Sequence, residues 1–477
     1  MRSRFAVALV VACACGGEGR PAFAPVIEVP PEGSDAYPYA GLDELVLEIA
    51  EAGAADGSRE SFSIDEPLEL TDLEYADDQV VHLTGRTRGV DVAYGRTCAI
   101  DITADSVDET PHLYFSRMVK WGAAADPGGI GQAGTVGYSA PDGSAVYVGD
   151  GRVSRFDPVS GAFSEVPMDS VAVRADGILA ALPDGRAVLI GGTADDNRVP
   201  LVQAIDPNVE PVAASRLESQ PGPPLVDHAA VTLEDGRVLV AGGDLEGVGV
   251  TQAAWLVSFS TANTLDEPEE LVNQMGTPRA GHTMTRLGDD AGAAVVIVGG
   301  RGPGPDVAPV TTTELYRPPM NEFQAVPGAV LAVPRWNHSA VRMADGSILI
   351  IGGFTLDAEM QVAPALPVEV YDPVLGVFKE GRGLLRDEDA VEDMAVVPMP
   401  DGRVLLIGGR DASGNAVDTV LIARFDPVDG RVDLSVTDPL ERRRAGHSAA
   451  LLCDGTILVV GGGAGSERYN PPLAGRR

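Results

Sequence analysis

The chain has 477 residues, 44% of them hydrophobic, with a mean hydropathy of +0.06. That is enough apolar material for a folded core, and it excludes both an acidic disordered tail and a polytopic membrane protein. Asp and Glu number 70 against 35 Lys and Arg, a net charge of −35, so the long-range field repels phosphate backbones and anionic lipid, and nucleic acid is not expected as a partner.

Residues 1–12 read as a lipoprotein-type signal peptide. Arg2 and Arg4 make a short basic start, and Phe5 to Ala12 are eight consecutive apolar residues, too few to span a bilayer. The next feature, Val10-Val11-Ala12-Cys13, resembles the lipobox of bacterial lipoproteins, which implies acylation of Cys13. Residues 13–39, with Gly-Gly, several Pro and no periodicity, read as a flexible tether. The expected location is therefore outside the cytoplasm: lipid-anchored to the cell envelope, at the outer membrane or cell surface, or secreted. The membrane is met only through the N-terminal lipid anchor.

Short alternating segments follow, among them Leu45-Val-Leu-Glu-Ile49, Glu60-Ser-Phe-Ser-Ile64, Val80-Val-His-Leu83 and Val90-Asp-Val-Ala-Tyr94. Their period of two predicts a small β-sandwich over 40–106, of Ig-like or transthyretin-like kind, acting as a spacer or docking module.

From residue 110 onward the chain repeats itself. An apolar run ending in a Gly pair recurs at Ala187–Gly192, Val238–Gly243, Val295–Gly300, Ile348–Gly353, Val404–Gly409 and Ile457–Gly462, after a degenerate copy at Ala145–Asp150; the first glycines are 42 to 57 residues apart. Ahead of the runs stand the hairpin signals Asp142-Gly143, Asp184-Gly185, Asp235-Gly236, Asp345-Gly346, Asp401-Gly402 and Asp454-Gly455. After them come segments such as Phe156-Asp-Pro158, Tyr316-Arg-Pro318, Tyr371-Asp-Pro373 and Tyr469-Asn-Pro471. Pro stops a ladder and a following Gly turns the chain into a fourth strand. The third copy lacks this feature and has Phe259-Ser260 instead.

Seven such copies resemble the Kelch repeat over about three quarters of the chain, which implies an all-β, seven-bladed Kelch-type β-propeller over 110–477. The family's fourth-strand Trp is mostly replaced, by Phe163, Phe323 and Phe378. The last copy ends without a fourth strand, so the segment 112–121 is expected to close the ring. Cys98 lies shortly before that segment and Cys453 in the last copy's first hairpin, and an exported chain permits a disulfide between them.

No zinc spacing, phosphate loop, nucleophile elbow or calcium loop is present, so no catalytic residue, metal or cofactor is assigned. Four histidines, His228, His282, His338 and His447, stand seven residues before a turn Asp, three of them within Arg279-Ala-Gly-His282, Arg335-Trp-Asn-His338 and Arg444-Ala-Gly-His447. Either they satisfy backbone groups where the first strands begin, or they form a metal or acid–base ring. Some Kelch propellers are copper radical oxidases, built on a Tyr joined to Cys, a second Tyr and two His. Cys453, the one Cys inside the repeats, lies at the wrong end of its strand for such a centre.

The stretch from Asp387 to Asp393 could bind a cation or be a solvated connection. The connections from the Gly pair to the Pro vary from 9 to 21 residues, and they share a face with the Arg-x-x-His segments. That face, with Arg279, His282, Arg335, Trp336, His338, Arg444 and His447, is the expected ligand-binding surface, unless its arginines only pair with loop carboxylates. The expected function is non-enzymatic binding of an envelope protein or glycan. The alternative is an envelope carbohydrate-active enzyme of the mutarotase or oxidase type.

Overall fold

A computed structural model describes residues 25–471 apart from 55–56, 67, 69–75, 103–111, 129, 132–133, 167–173, 195–196, 208–218, 261–263, 291, 305–307 and 464. The expected signal peptide, Cys13 and residues 13–24 of the expected tether lie outside these.

Each Asp-Gly turn is built as the sequence suggests. The Asp side chain accepts the backbone N–H two residues on, as Asp142 does from Ser144, Asp235 from Arg237 and Asp401 from Arg403, while the Gly takes the left-handed conformation, φ 83 at Gly143 and 81 at Gly236. The turns join two strands, and the Asp-Pro segments join two more. Among the described residues the result is seven four-stranded antiparallel sheets. They cover 136–165, 178–221, 229–270, 283–330, 339–384, 395–436 and 447–470, the last completed by Lys120–Ala123. The first strands pack on one another in a closed circuit, the seventh sheet returning to the first, so the sheets are blades around an axis.

The second strands, such as Val295–Val298 and Ile348–Ile351, are buried throughout. Val295 and Ile297 join a core with Leu239 and Ala241 of blade three, while Val296 and Val298 join Ile348 and Ile350 of blade five. The strand period of two thus feeds alternate side chains into the seams on either side, and each buried aliphatic contributes about 1.5–3 kcal/mol. Outer strands are pinned by aromatic pairs: Phe156–Phe163 and Tyr316–Phe323 at 4.9 Å, Tyr371–Phe378 at 5.2 Å. Blade three, which lacks the Pro turn, has an outer strand of only Glu269–Glu270.

The region ahead of the propeller differs from expectation in three ways. It is not two facing sheets: six strands, including Glu44–Glu51, Ala76–Thr87 and Val90–Arg96, form one connected sheet, with a separate two-stranded parallel ribbon of Val26–Glu28 and His112–Tyr114. Twelve-residue Ala76–Thr87 pairs with strands on both sides, and Leu45, Leu47, Val81 and Leu83 bury one face against Leu113 and Phe115. Residues 25–39 are not a tether, because Val26–Glu28 is in that ribbon and Ala36 is fully buried. The closing strand is Lys120–Ala123 and not 112–121. A left-handed residue at Val119 (φ 61) breaks the segment, whose earlier parts pair within the N-terminal region. Trp121 then pairs with Tyr469, stacked at 4.7 Å, in the outer-strand place taken by Phe in other blades. Cys98 and Cys453 are joined in a disulfide.

Candidate functional site

The Gly pair interrupts the second strand with two left-handed residues, φ 66 at Gly299 and 98 at Gly300, which ends the ladder and leaves carbonyls to be satisfied. The arginines do this. Arg335 donates to the carbonyls of Gly352, Ala365 and Pro367, and its Nη2 meets Glu369 Oε1 at 2.9 Å. Glu369 in turn accepts the backbone N–H of Ala332 and Val333. Arg279 with Glu314 and Arg444 with Glu467 repeat the arrangement, each pair at 2.6 Å.

Arg279 and Arg335 are 0% exposed and Arg444 is 1% exposed. They are therefore not part of a ligand surface: they pair with carboxylates of their own blades and hold the loop carbonyls. Burial lowers the pKa of Arg279 and Arg335, opposed by the facing Glu.

The histidines wedge the seams between blades. A Cβ at Gly299 would lie 2.5 Å from the Arg335 carbonyl and 2.7 Å from His338 Cε1; His282 stands against Gly242 and His447 against Gly408 in the same way. Each ring thus occupies space that only a glycine on the preceding blade leaves open. His338 Nε2 lies 2.9 Å from Thr283 Oγ1, and His447 Nε2 donates to the Ile407 carbonyl at 3.0 Å. The ring nitrogens of His228 and His282 have no hydrogen-bond partner among the described residues.

Burial pushes the His228 and His447 pKa values down to about 4 and that of His338 to about 3, with Arg444 and Arg335 adding to the last two. His282 is held well below its ordinary value by burial and then by Arg279. Neutral, separated into seams and sealed from solvent, His282, His338 and His447 do not line a binding face. Trp336 is also buried and packs on Phe354.

What does face solvent is the residue just before each histidine position. Gly134, Asp176, Asp227, Gly281, Asn337, Asp393 and Gly446 all have left-handed backbones, φ 51 to 86, a conformation open to Gly, Asn and Asp. They are linked blade to blade: Gly281 N–H donates to the Asp227 carbonyl, Asn337 N–H to Gly281 and Gly134 N–H to Gly446, all at 2.8 Å. This ring surrounds the axis at the loop face.

Its side chains converge. Arg301 reaches Asp227 at 2.9 Å, Arg410 reaches Asp393 at 2.9 Å and Asn337 donates to Glu392 at 3.3 Å. The Asp176 pKa is raised by partial burial, then by Asp393 from across the ring and Asp227 from the adjacent blade. That of Glu392 is raised by burial and Asp393. The stretch Asp387 to Asp393 is thus divided: buried Asp389 accepts from Arg386 to close a turn, and Asp393 belongs to the mouth. Sequence reasoning missed Asp176, Asp227 and Asn337. The signal was available in the exchange of Gly, Asn and Asp before the histidine position.

The N-terminal sheet occupies the other end of the propeller. It meets the first hairpin of blade seven, where Arg96 donates to the Cys453 carbonyl at 3.0 Å, and the parallel ribbon meets the outer turn of blade one, where His112 N–H donates to the Val159 carbonyl. The axial mouth stands at the opposite ends of the same strands.

No family model matches the chain. It is 32% identical over 146 residues to an F-box/kelch-repeat protein of Arabidopsis thaliana, and spans 28% of that relative's length and 28% of its own. Among solved structures, a fungal alcohol oxidase of the AA5 family in complex with copper aligns with a TM-score of 0.53 at 17% identity, covering 74% of this chain and 76% of that one. The structure of YjhT aligns with a TM-score of 0.46 at 14% identity, over 65% of this chain and 99% of that one.

Proposed function

Taking the chain as a Kelch-repeat protein on a Kelch-type propeller, we propose that it is a binding protein of the cell envelope or the secreted fraction, engaging a protein or glycan at the axial mouth of its loop face. The observation that carries this reading is the convergence of Asp176, Asp227, Asn337, Asp393, Arg301 and Arg410 on one ring. These groups present both donors and acceptors to solvent on a rigid scaffold, where recognition usually resides. The N-terminal sheet leaves that face open.

The test is a glycan array together with capture from an envelope extract, using the wild-type chain and a variant with Asp176, Asp227, Asn337 and Asp393 changed to Ala. Loss of the wild-type ligands by about tenfold or more, at an unchanged melting temperature, supports the site. Undiminished capture sinks it.

The copper chemistry named for the fungal oxidase does not fit these residues. The radical centre of such enzymes needs a cysteine joined to a tyrosine, whereas Cys98 and Cys453 are joined to each other. The four repeat histidines stand in different seams, and among the described residues no group of three or more His, Cys, Asp or Glu is placed to hold a metal. No catalytic step is derived through copper.

A further inference from the structure

A propeller is only as closed as its last blade, and here that blade is joined across the chain. Lys120–Ala123 pairs with Ser466–Asn470 through four residue pairs. So short a ladder must offset the entropy of closing a loop that contains almost the whole propeller. The ladder has local supports: Trp121 stacks on Tyr469 and donates to the Asp438 carbonyl at 3.0 Å, and Lys120 meets Asp438 at 2.6 Å.

A second set of ties joins the same blade to the N-terminal sheet. Arg468, 2% exposed, pairs with Asp454 and lies over the Tyr114 ring at 4.2 Å, Asn470 donates to the Ser116 carbonyl, and Cys98 bonds Cys453 across 355 residues of sequence. Since the strand Val90–Arg96 leads into Cys98 and also pairs with Ser116–Arg117, the disulfide restrains the sheet from which the closing strand departs.

We propose that the Cys98–Cys453 disulfide is a redox-sensitive latch on ring closure, so that reduction loosens blade seven while the other blades stay folded. Cys453 is the less buried residue of the pair, and its sulfur is the point of attack for a dithiol reductant. One thiolate of the reductant bonds to the Cys453 sulfur and displaces the Cys98 thiolate. The second thiol then closes the reductant's own disulfide and releases Cys453. Two electrons and two protons pass from the reductant to the cysteine pair. With the covalent tie gone, the closing strand is held by its short ladder, the Trp121–Tyr469 stack and the polar ties, and this region opens locally.

The experiment is hydrogen exchange read by mass spectrometry on the full chain before and after dithiothreitol. Amides of Lys120–Ala123 and Ser466–Asn470 are expected to exchange about tenfold faster or more after reduction, with Val295–Val298 and Ile348–Ile351 unchanged. A uniform acceleration in all blades, or no change in any, overturns the latch. So does labelling of Cys98 and Cys453 as free thiols, located by peptide mapping, in the denatured, unreduced chain. Cys98→Ser should exchange like the reduced protein without any reductant, and should it fail to fold, the reduced wild type decides the matter by itself.

Discussion

Blades five and six fill the same place in opposite ways. In blade five, Arg335 and Glu369 form a buried ion pair behind the Gly pair, and blades four and seven do likewise. In blade six the equivalent residues are Val391 and Leu421. The Val391 carbonyl accepts the Gly353 N–H at 2.6 Å as the Arg335 carbonyl accepts that of Gly300, and Leu421 pairs with Leu406 as Glu369 pairs with Ile350. Blade three uses Leu225 and Trp255, and blade two keeps Arg174 against Gln203. The backbone role is shared by blades three to seven, while the chemistry behind it is not. The charged solution is therefore one way to fill the site and not a condition of the fold, as expected where desolvating two ions costs about what their attraction returns.

The comparison breaks most visibly at half a pair. Glu369→Ala leaves the Arg335 guanidinium buried without its counter-ion and two backbone N–H groups without an acceptor, and should cost about 3–5 kcal/mol. The double change Arg335→Val with Glu369→Leu installs the pair found in blade six and should recover most of that loss. Thermal unfolding of the single and double variants decides the point. A double variant as unstable as Glu369→Ala would show that the ion pair is indispensable to blade five after all.

The same contrast explains what could be read from the sequence. The repeat was legible because its signals are backbone signals: Asp-Gly turns, Gly pairs and prolines act locally and stay in phase. The role of Arg279, Arg335 and Arg444 was not, because a charged residue in a loop reads as a surface group until its partner is known. Glu314 lies 35 residues after Arg279, and only strand register shows that the two meet. The binding-face assignment failed there, while the pairing with carboxylates, which the sequence had left open, is the arrangement observed. In the N-terminal region, local patterning found most of the strands but could not show that they share one sheet. Nor could it locate the Val119 break that shifts the closing strand.

Acid should separate the blades further. A histidine whose folded pKa is lowered binds its proton less readily than it does in the unfolded chain, so stability is full above the ordinary value of 6.5. It falls as pH drops from there toward the folded values of about 4 for His228 and His447 and about 3 for His338. Each tenfold difference in proton affinity is worth about 1.4 kcal/mol. Blade six has Met394 in this place, against Gly352, and adds no histidine to the slope. His338→Met should therefore flatten the decline of melting temperature between pH 6.5 and 4. An unaltered profile would mean that His338 takes no part in the acid response.

The smallest expected effect concerns the two histidines without partners. His338 reaches the hydroxyl of Thr283, which follows His282 on the preceding blade. The corresponding neighbour of His282 is Ala229, and that of His228 is Ile178, so both rings face a position with no side-chain oxygen. Ala229→Ser should give His282 the partner that Thr283 gives His338, and an added buried hydrogen bond is worth about 1 kcal/mol. Serine is the better choice than threonine because Ala229 is buried and a γ-methyl would crowd the seam. The control is Ala395→Ser, the same change before His447, whose Nε2 already donates to the Ile407 carbonyl. A higher melting temperature for Ala229→Ser with none for Ala395→Ser ties the gain to the unpartnered ring. Equal shifts in both, or none in either, would show that the hydroxyl acts elsewhere in the strand and that His282 does not need it.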